Sequence, residues 1–221
     1  MRRWEGLHAE RIRSVLPRLY LSTGHYPTSC GLPGGSGIMS AEAVHRLLLE
    51  ALADGVPVIP EEAVGFYKQN CMVAFHHNGH SSGVILAVHG NDIVVRFEIC
   101  WTGETTEQLI RAYRDPIRLA DNAACAIALL LIRKMTPFTA VEQSVVGTTI
   151  DYYLARQDRS DDLIFNNVAR LEVSGILTEN EENTIDRRIA EKRRRLRHEA
   201  DLNDFIVVVE FGRPWSKLVD A

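Results

Sequence analysis

Hydrophobic positions along the chain fall into a few distinct rhythms, and each rhythm predicts an element. Residues 4–20 place Trp4, Leu7, Ile12, Val15 and Leu16 near one stripe, the pattern of an amphipathic helix. A loop dense in Gly, Pro and Ser follows, GHYPTSCGLPGGSGIMS. Ser40 is a suitable cap for a second predicted helix over 41–53, whose Val44, Leu47, Leu48 and Ala51 share a face. Residues 71–101 read as an antiparallel meander. In it CMVAFHH turns at Asn78-Gly79 into HSSGVILAVH, which turns at Gly90-Asn91-Asp92 into IVVRFEICW. A short polar-faced helix over 104–115 stops before Pro116.

The second half changes character. RLADNAACAIALLLIRKM is apolar nearly all round, as a helix packed inside a core is, and Asp121 or Asn122 caps or enters it. After Pro137 come two extended runs, 138–146 and 148–156, meeting at Gly147. A polar loop, RQDRSDDLIFNN, leads to a strand over 168–174, then to a charged helix over about 179–199. DFIVVVEFG closes the series, its continuous Ile206–Val209 run suiting a strand covered on both faces. The expected architecture is mixed, α+β or α/β. N-terminal helices and an antiparallel β-meander occupy residues 1–117, followed by an αβββαβ domain over 118–221.

Composition narrows this only slightly. With 221 residues, 46% of them apolar, the chain can bury one sizeable core or two small ones. A formal charge of −4 excludes wholesale non-specific binding of nucleic acid but not a local basic face. Cys30, Cys71, Cys100 and Cys125 form no CxxC pair, which argues against a zinc module and for a reducing compartment. MRRWEGLHAERIR has no apolar stretch behind its basic residues, and the run Ala123–Ile132 is far short of a membrane span. The expectation is a cytoplasmic protein without membrane contact. The glycine loop lacks GxxxxGK[ST] and reads as a connector.

Candidate chemistry lies in the second half, where Glu142, Asp151 and Glu172 fall on successive extended runs. Carboxylates on neighbouring strands can converge on hard, oxygen-seeking Mg²⁺. In the strand VARLEVSG, Glu172 interrupts an otherwise buried alternation. Asp151 in GTTIDYYL and Glu172 in LEVS, with Glu142 in AVEQS and the element order after residue 118, resemble the PD-(D/E)XK nuclease superfamily over about residues 118–212.

The resemblance implies a restriction-endonuclease-like core, Mg²⁺ or Mn²⁺ as cofactor and hydrolysis of DNA phosphodiesters. Asp151 and Glu172 would be metal ligands and catalytic residues, with Glu142 as the assisting Glu that the family often carries on a helix. One position departs. The motif Lys is replaced by Ser174, which shares a face with Glu172 but supplies no cation. Arg188 and Lys192, spaced i and i+4 on the charged helix, can present one. Ser174 with Lys192 or Arg188 would then stand where the family Lys acts.

Arg188, Lys192 and Arg195 are also candidates for phosphate contacts. The residues leave other readings open. Glu172 can form a structural ion pair with Arg170 or with a helix Arg. The fold can serve as a catalytically inactive binding or assembly subunit, with a protein partner or a second copy. His76, His77 and His80, around the predicted first turn, suggest a weaker zinc alternative.

Overall fold

The computed structural model describes residues 44–90, 93–145, 147–157, 169–196 and 202–221. The predicted helix 4–20, the glycine-rich loop and most of the 156–167 loop lie outside the described residues. The strands are β1 (Val44–Leu48), β2 (Val84–His89), β3 (Val94–Cys100), β4 (Phe138–Gln143), β5 (Tyr152–Arg156), β6 (Ala169–Ile176), β7 (Asn203–Glu210) and β8 (Trp215–Asp220). Helices are α1 (Glu61–His77), α2 (Glu107–Ala112), α3 (Pro116–Met135) and α4 (Ile185–Arg195). All eight strands join one mixed sheet in the order β1-β3-β2-β8-β7-β6-β5-β4.

Residues 116–210 build the part of the sheet that matters for chemistry. β4 pairs antiparallel with β5, and β5 antiparallel with β6. β6 then runs parallel to β7 along its whole length, and α4 supplies the crossover such a parallel pair requires. α3 starts cleanly because Asp115 caps it, accepting from the N–H groups of Ile117 and Arg118, and Pro116 occupies the first turn.

Both faces of this region are covered. Ala169, Leu171 and Val173 of β6 point into a core with Ile127 and Leu131 of α3 and Phe75 of α1. On the opposite face, Ile176 joins Ile185, Ile189 and Leu196 of the α4 segment over Ile206, Val208 and Val219. Every residue of β6 is therefore buried, including the polar Arg170, Glu172 and Ser174 that alternate with its apolar residues.

Three expectations change. CMVAFHH is the last part of α1, not a strand. A short apolar run fits either element, and here it packs against α3, with the Cys71 thiol donating to the Ala123 carbonyl at 3.3 Å. Asn78-Gly79 ends that helix rather than turning a hairpin: Gly79 has φ 78°, the left-handed conformation that suits glycine at a helix C-terminus. Over 44–53, the predicted second helix is β1 followed by one turn of 3₁₀ helix, because parallel pairing with β3 outweighs local helix propensity.

The two halves are also not separate bodies. β2 pairs parallel with β8, and Leu86 and Phe97 share one core with Ile127 and Phe205. The division expected at 117/118 falls in the first turn of α3, whose later residues join this common core. Among the described residues, no helix is long and apolar enough to cross a membrane.

Candidate active site

The site begins where β5 and β6 part. Their ladder ends at Tyr152 and Leu171, with a last bond from the Asp151 N–H to the Leu171 carbonyl at 2.9 Å. Beyond it, the β6 N–H groups facing β5 have lost their strand partner, and buried backbone donors must be satisfied. Carboxylates take them. Asp151 Oδ2 accepts from the Val173 N–H at 2.7 Å, and Asp121 Oδ1 accepts from the Gly175 N–H at 3.1 Å.

Gly175 permits the second contact. A Cβ at that position would lie 2.0 Å from the Ala120 carbonyl oxygen, so only glycine lets the α3 backbone approach β6 this closely. Two acids from different elements are thereby fixed at the C-terminal end of β6.

Glu172, on β6 itself, follows both in sequence and is only 7% exposed. Its carboxyl is within hydrogen-bonding reach of Asp151 and contacts the Lys192 ammonium through Oε1. Burial pushes its pKa up to about 7, and the nearby Asp151 charge adds to this, while Lys192 pulls the other way. Asp121 also sits above the ordinary carboxylate range, chiefly through desolvation. The Gly175 N–H and the charges of Lys192 and Arg188 lower it.

Lys192 reaches the site because of its helical phase. Ile185, Ile189 and Leu196 are the buried residues that anchor the α4 segment. Lys192 falls between Ile189 and Leu196 on the same stripe, at the i+7 position from Ile185. The lysine thus occupies a core-facing position, its stem against the sheet and its charge on Glu172. Asp186 pairs with Lys217 of β8 at 2.8 Å, and Arg193 donates to the Asp220 carbonyl at 3.2 Å, fixing the rotation of α4 about its axis.

Of the residues expected from sequence, Asp151, Glu172 and Lys192 come together. Arg188 lies one turn before Lys192, its Nε donating to Asn183 Oδ1 at 2.7 Å. Ser174 is buried two residues beyond Glu172, and the cation at that carboxylate comes from α4. Arg195 is exposed in the last turn of α4.

Glu142 is on β4, not on a helix, exposed in the cross-strand row with Tyr153 and Arg170. The helix-borne acid is Asp121, which the sequence suggested only as a helix cap or entry residue. Its signal was a lone carboxylate in the first half of an otherwise apolar core helix.

Arg170 does not pair with Glu172. It forms a two-pronged, buried ion pair with Asp204, Nε to Oδ1 at 2.6 Å and the second nitrogen to Oδ2 at 2.8 Å. His76 and His77 end α1, and His80 Nε2 donates to the Gly212 carbonyl at 2.9 Å. Among the described residues, no group of three or more His, Cys, Asp or Glu side chains is arranged to hold a metal ion by itself.

Comparison with protein families, with curated proteins and with solved structures gives no match.

Proposed function

We propose that this protein is a divalent-metal-dependent nuclease of the PD-(D/E)XK type, hydrolysing DNA phosphodiesters, with its motif lysine moved from β6 to α4. The observation that carries the reading is the contact of Lys192 with Glu172 beside Asp151. What supports the core assignment is the order α3-β4-β5-β6-α4-β7, with two antiparallel pairs followed by one parallel pair. Ser174 then ceases to be an obstacle, since the cation arrives on the neighbouring element.

The donor set suits Mg²⁺ or Mn²⁺. It is all oxygen, and Mg²⁺ is commonly held by one or two carboxylates together with waters and substrate phosphate, so a closed protein cage is not required. A buried acid with its pKa near 7 beside a second carboxylate also marks a place where positive charge is wanted. Asp151 and Glu172 would hold the ion, with Asp121 at its edge. Bound there, the ion supplies a more acidic water and neutralises charge on the phosphate.

The chain's own residues do the remainder. Lys192 orients the attacking water and balances charge developing on the phosphoryl oxygens. Arg188 and Arg195 offer backbone phosphate contacts along α4.

The test is cleavage of plasmid and linear DNA in Mg²⁺ and Mn²⁺. Asp151→Ala and Glu172→Ala are expected to abolish activity, and Lys192→Met to lower kcat by about 10²–10³ while metal binding persists. Activity unchanged in Asp151→Ala and Glu172→Ala would overturn the assignment and leave the cluster a structural device in a binding subunit.

A further inference from the structure

The two most exposed large hydrophobic side chains among the described residues are Val145, at 75%, and Ile117, at 74%. Isolated surface aliphatics are ordinary, but each of these two stands on a segment that leads to an acid of the site. Ile117 stands one helical turn before Asp121 on the first turn of α3. Val145 is in the β4–β5 connection that leads into Asp151. The Ser144 N–H before it donates to the Asp151 carbonyl at 2.8 Å, and Thr148 Oγ1 donates to the Val145 carbonyl at 2.9 Å. Both segments project past the C-terminal end of β6, where the carboxylates meet.

Cations stand at the same end: exposed Arg114 and Arg118 beside Ile117, the latter paired with Asp115 at 3.8 Å, and on α4 exposed Arg187 with half-buried Arg188, which Asn183 holds. This combination fits a polyanion that also has apolar surface to offer. Phosphates and sugars have none, whereas the faces of nucleobases do, and in an intact duplex those faces are stacked away. An aliphatic side chain beside the scissile phosphate gains contact only where bases are unpaired or can be wedged apart.

We infer that Ile117 and Val145 form a base-contacting rim that makes nucleic acid with unpaired bases at the scissile position the preferred substrate. This rests on the nuclease reading above and assigns the form of its substrate.

The test is fluorescence anisotropy without divalent metal, using short labelled DNA oligonucleotides, one single-stranded and one fully paired. It compares the wild type with Ile117→Ser/Val145→Ser. The wild type is expected to bind the single strand more tightly. The double variant is expected to lose about tenfold in single-strand affinity and less than about twofold on the duplex, because the apolar contact alone is removed.

A thermal melt of the double variant matching wild type excludes misfolding, since both positions are exposed. Should wild type prefer the duplex, or the variant weaken both ligands equally or neither, the rim assignment fails. Asp151-dependent cleavage would still uphold the nuclease reading in that case. Binding to neither oligonucleotide by the wild type, with no cleavage, overturns both.

Discussion

Gly175→Ala tests the geometry of the site through its most demanding contact. The new Cβ would lie 2.0 Å from the Ala120 oxygen, 2.3 Å from its carbonyl carbon and 2.9 Å from the Asp121 nitrogen, where ordinary contacts begin near 3.4 Å. β6 and α3 must therefore separate by about 1.4 Å at this point, and neither has a flexible side chain to yield. Both are tied into the central core, β6 through Leu171 and Val173 and α3 through Ala123, Ala124 and Ile127.

Overpacking of this kind costs about 1–3 kcal/mol and more when backbone is the obstacle. Stretching the bond from the Gly175 N–H to Asp121 adds about 1.5–3 kcal/mol, since its acceptor is charged. A loss of about 3–5 kcal/mol is expected, read as a lower urea midpoint at unchanged slope. For a chain of this size the melting temperature should fall by about 6–20 °C. Asp121→Asn, which keeps the glycine and a side-chain acceptor, should cost less than about 2 kcal/mol. Should Gly175→Ala unfold within about 0.5 kcal/mol of wild type, α3 and β6 do not approach as described. The account of how Asp121 enters the site would then be wrong.

The remaining predictions concern charge. Because Glu172 titrates at about 7 in the folded protein against an ordinary 4.5, the folded state holds a proton that the unfolded state has released. Its stabilising contribution is complete below about pH 4.5 and is lost as pH rises through 7. Metal-free Glu172→Gln should therefore lose less stability than wild type between pH 5 and 8, and parallel slopes in urea titrations would refute the assignment. Mg²⁺ or Mn²⁺ binding near pH 6.5 should release close to one proton, seen by calorimetry in buffers of different ionisation enthalpy, and Glu172→Gln should abolish that release. Asp204→Ala leaves the Arg170 guanidinium without its buried two-pronged partner and should cost about 3–5 kcal/mol in denaturant unfolding. Cys71 is fully buried, which pushes its thiol up, so it should not react with a thiol reagent at pH 8 until the protein unfolds.

Much of the second half follows from local pattern. The all-apolar helix, the alternating strand around Glu172, the doubly covered run Ile206–Val209 and the charged helix follow from period and composition, and they were legible as α3, β6, β7 and α4. Asp151 and Glu172 were legible too, since a carboxylate inside a buried alternation needs a partner wherever the strand lies. The spacing of Arg188 and Lys192 offered a cation on one helix face, and the packing of Ile185, Ile189 and Leu196 is what turns Lys192 inward.

Other features depended on contacts between distant residues. CMVAFHH is helical because α3 lies against it, and Val44–Leu48 is extended because β3 offers backbone partners; neither neighbour is local in sequence. β8 was missed, since WSKLVD carries a weak alternation and gains its identity from pairing with both β7 and β2. The union of the two halves into one sheet rests on that same strand.

Asp121 shows the division most clearly. The sequence suggested it as a cap or entry residue, but α3 begins at Pro116 under an Asp115 cap. Asp121 lies inside the helix with the N–H of Gly175 as partner, available because β5 diverges from β6 after Leu171. A chain's sequence states which groups will need partners when buried. Which partner each receives is decided by long-range packing, because only the folded backbone brings residues 121, 151, 172 and 192 to one point.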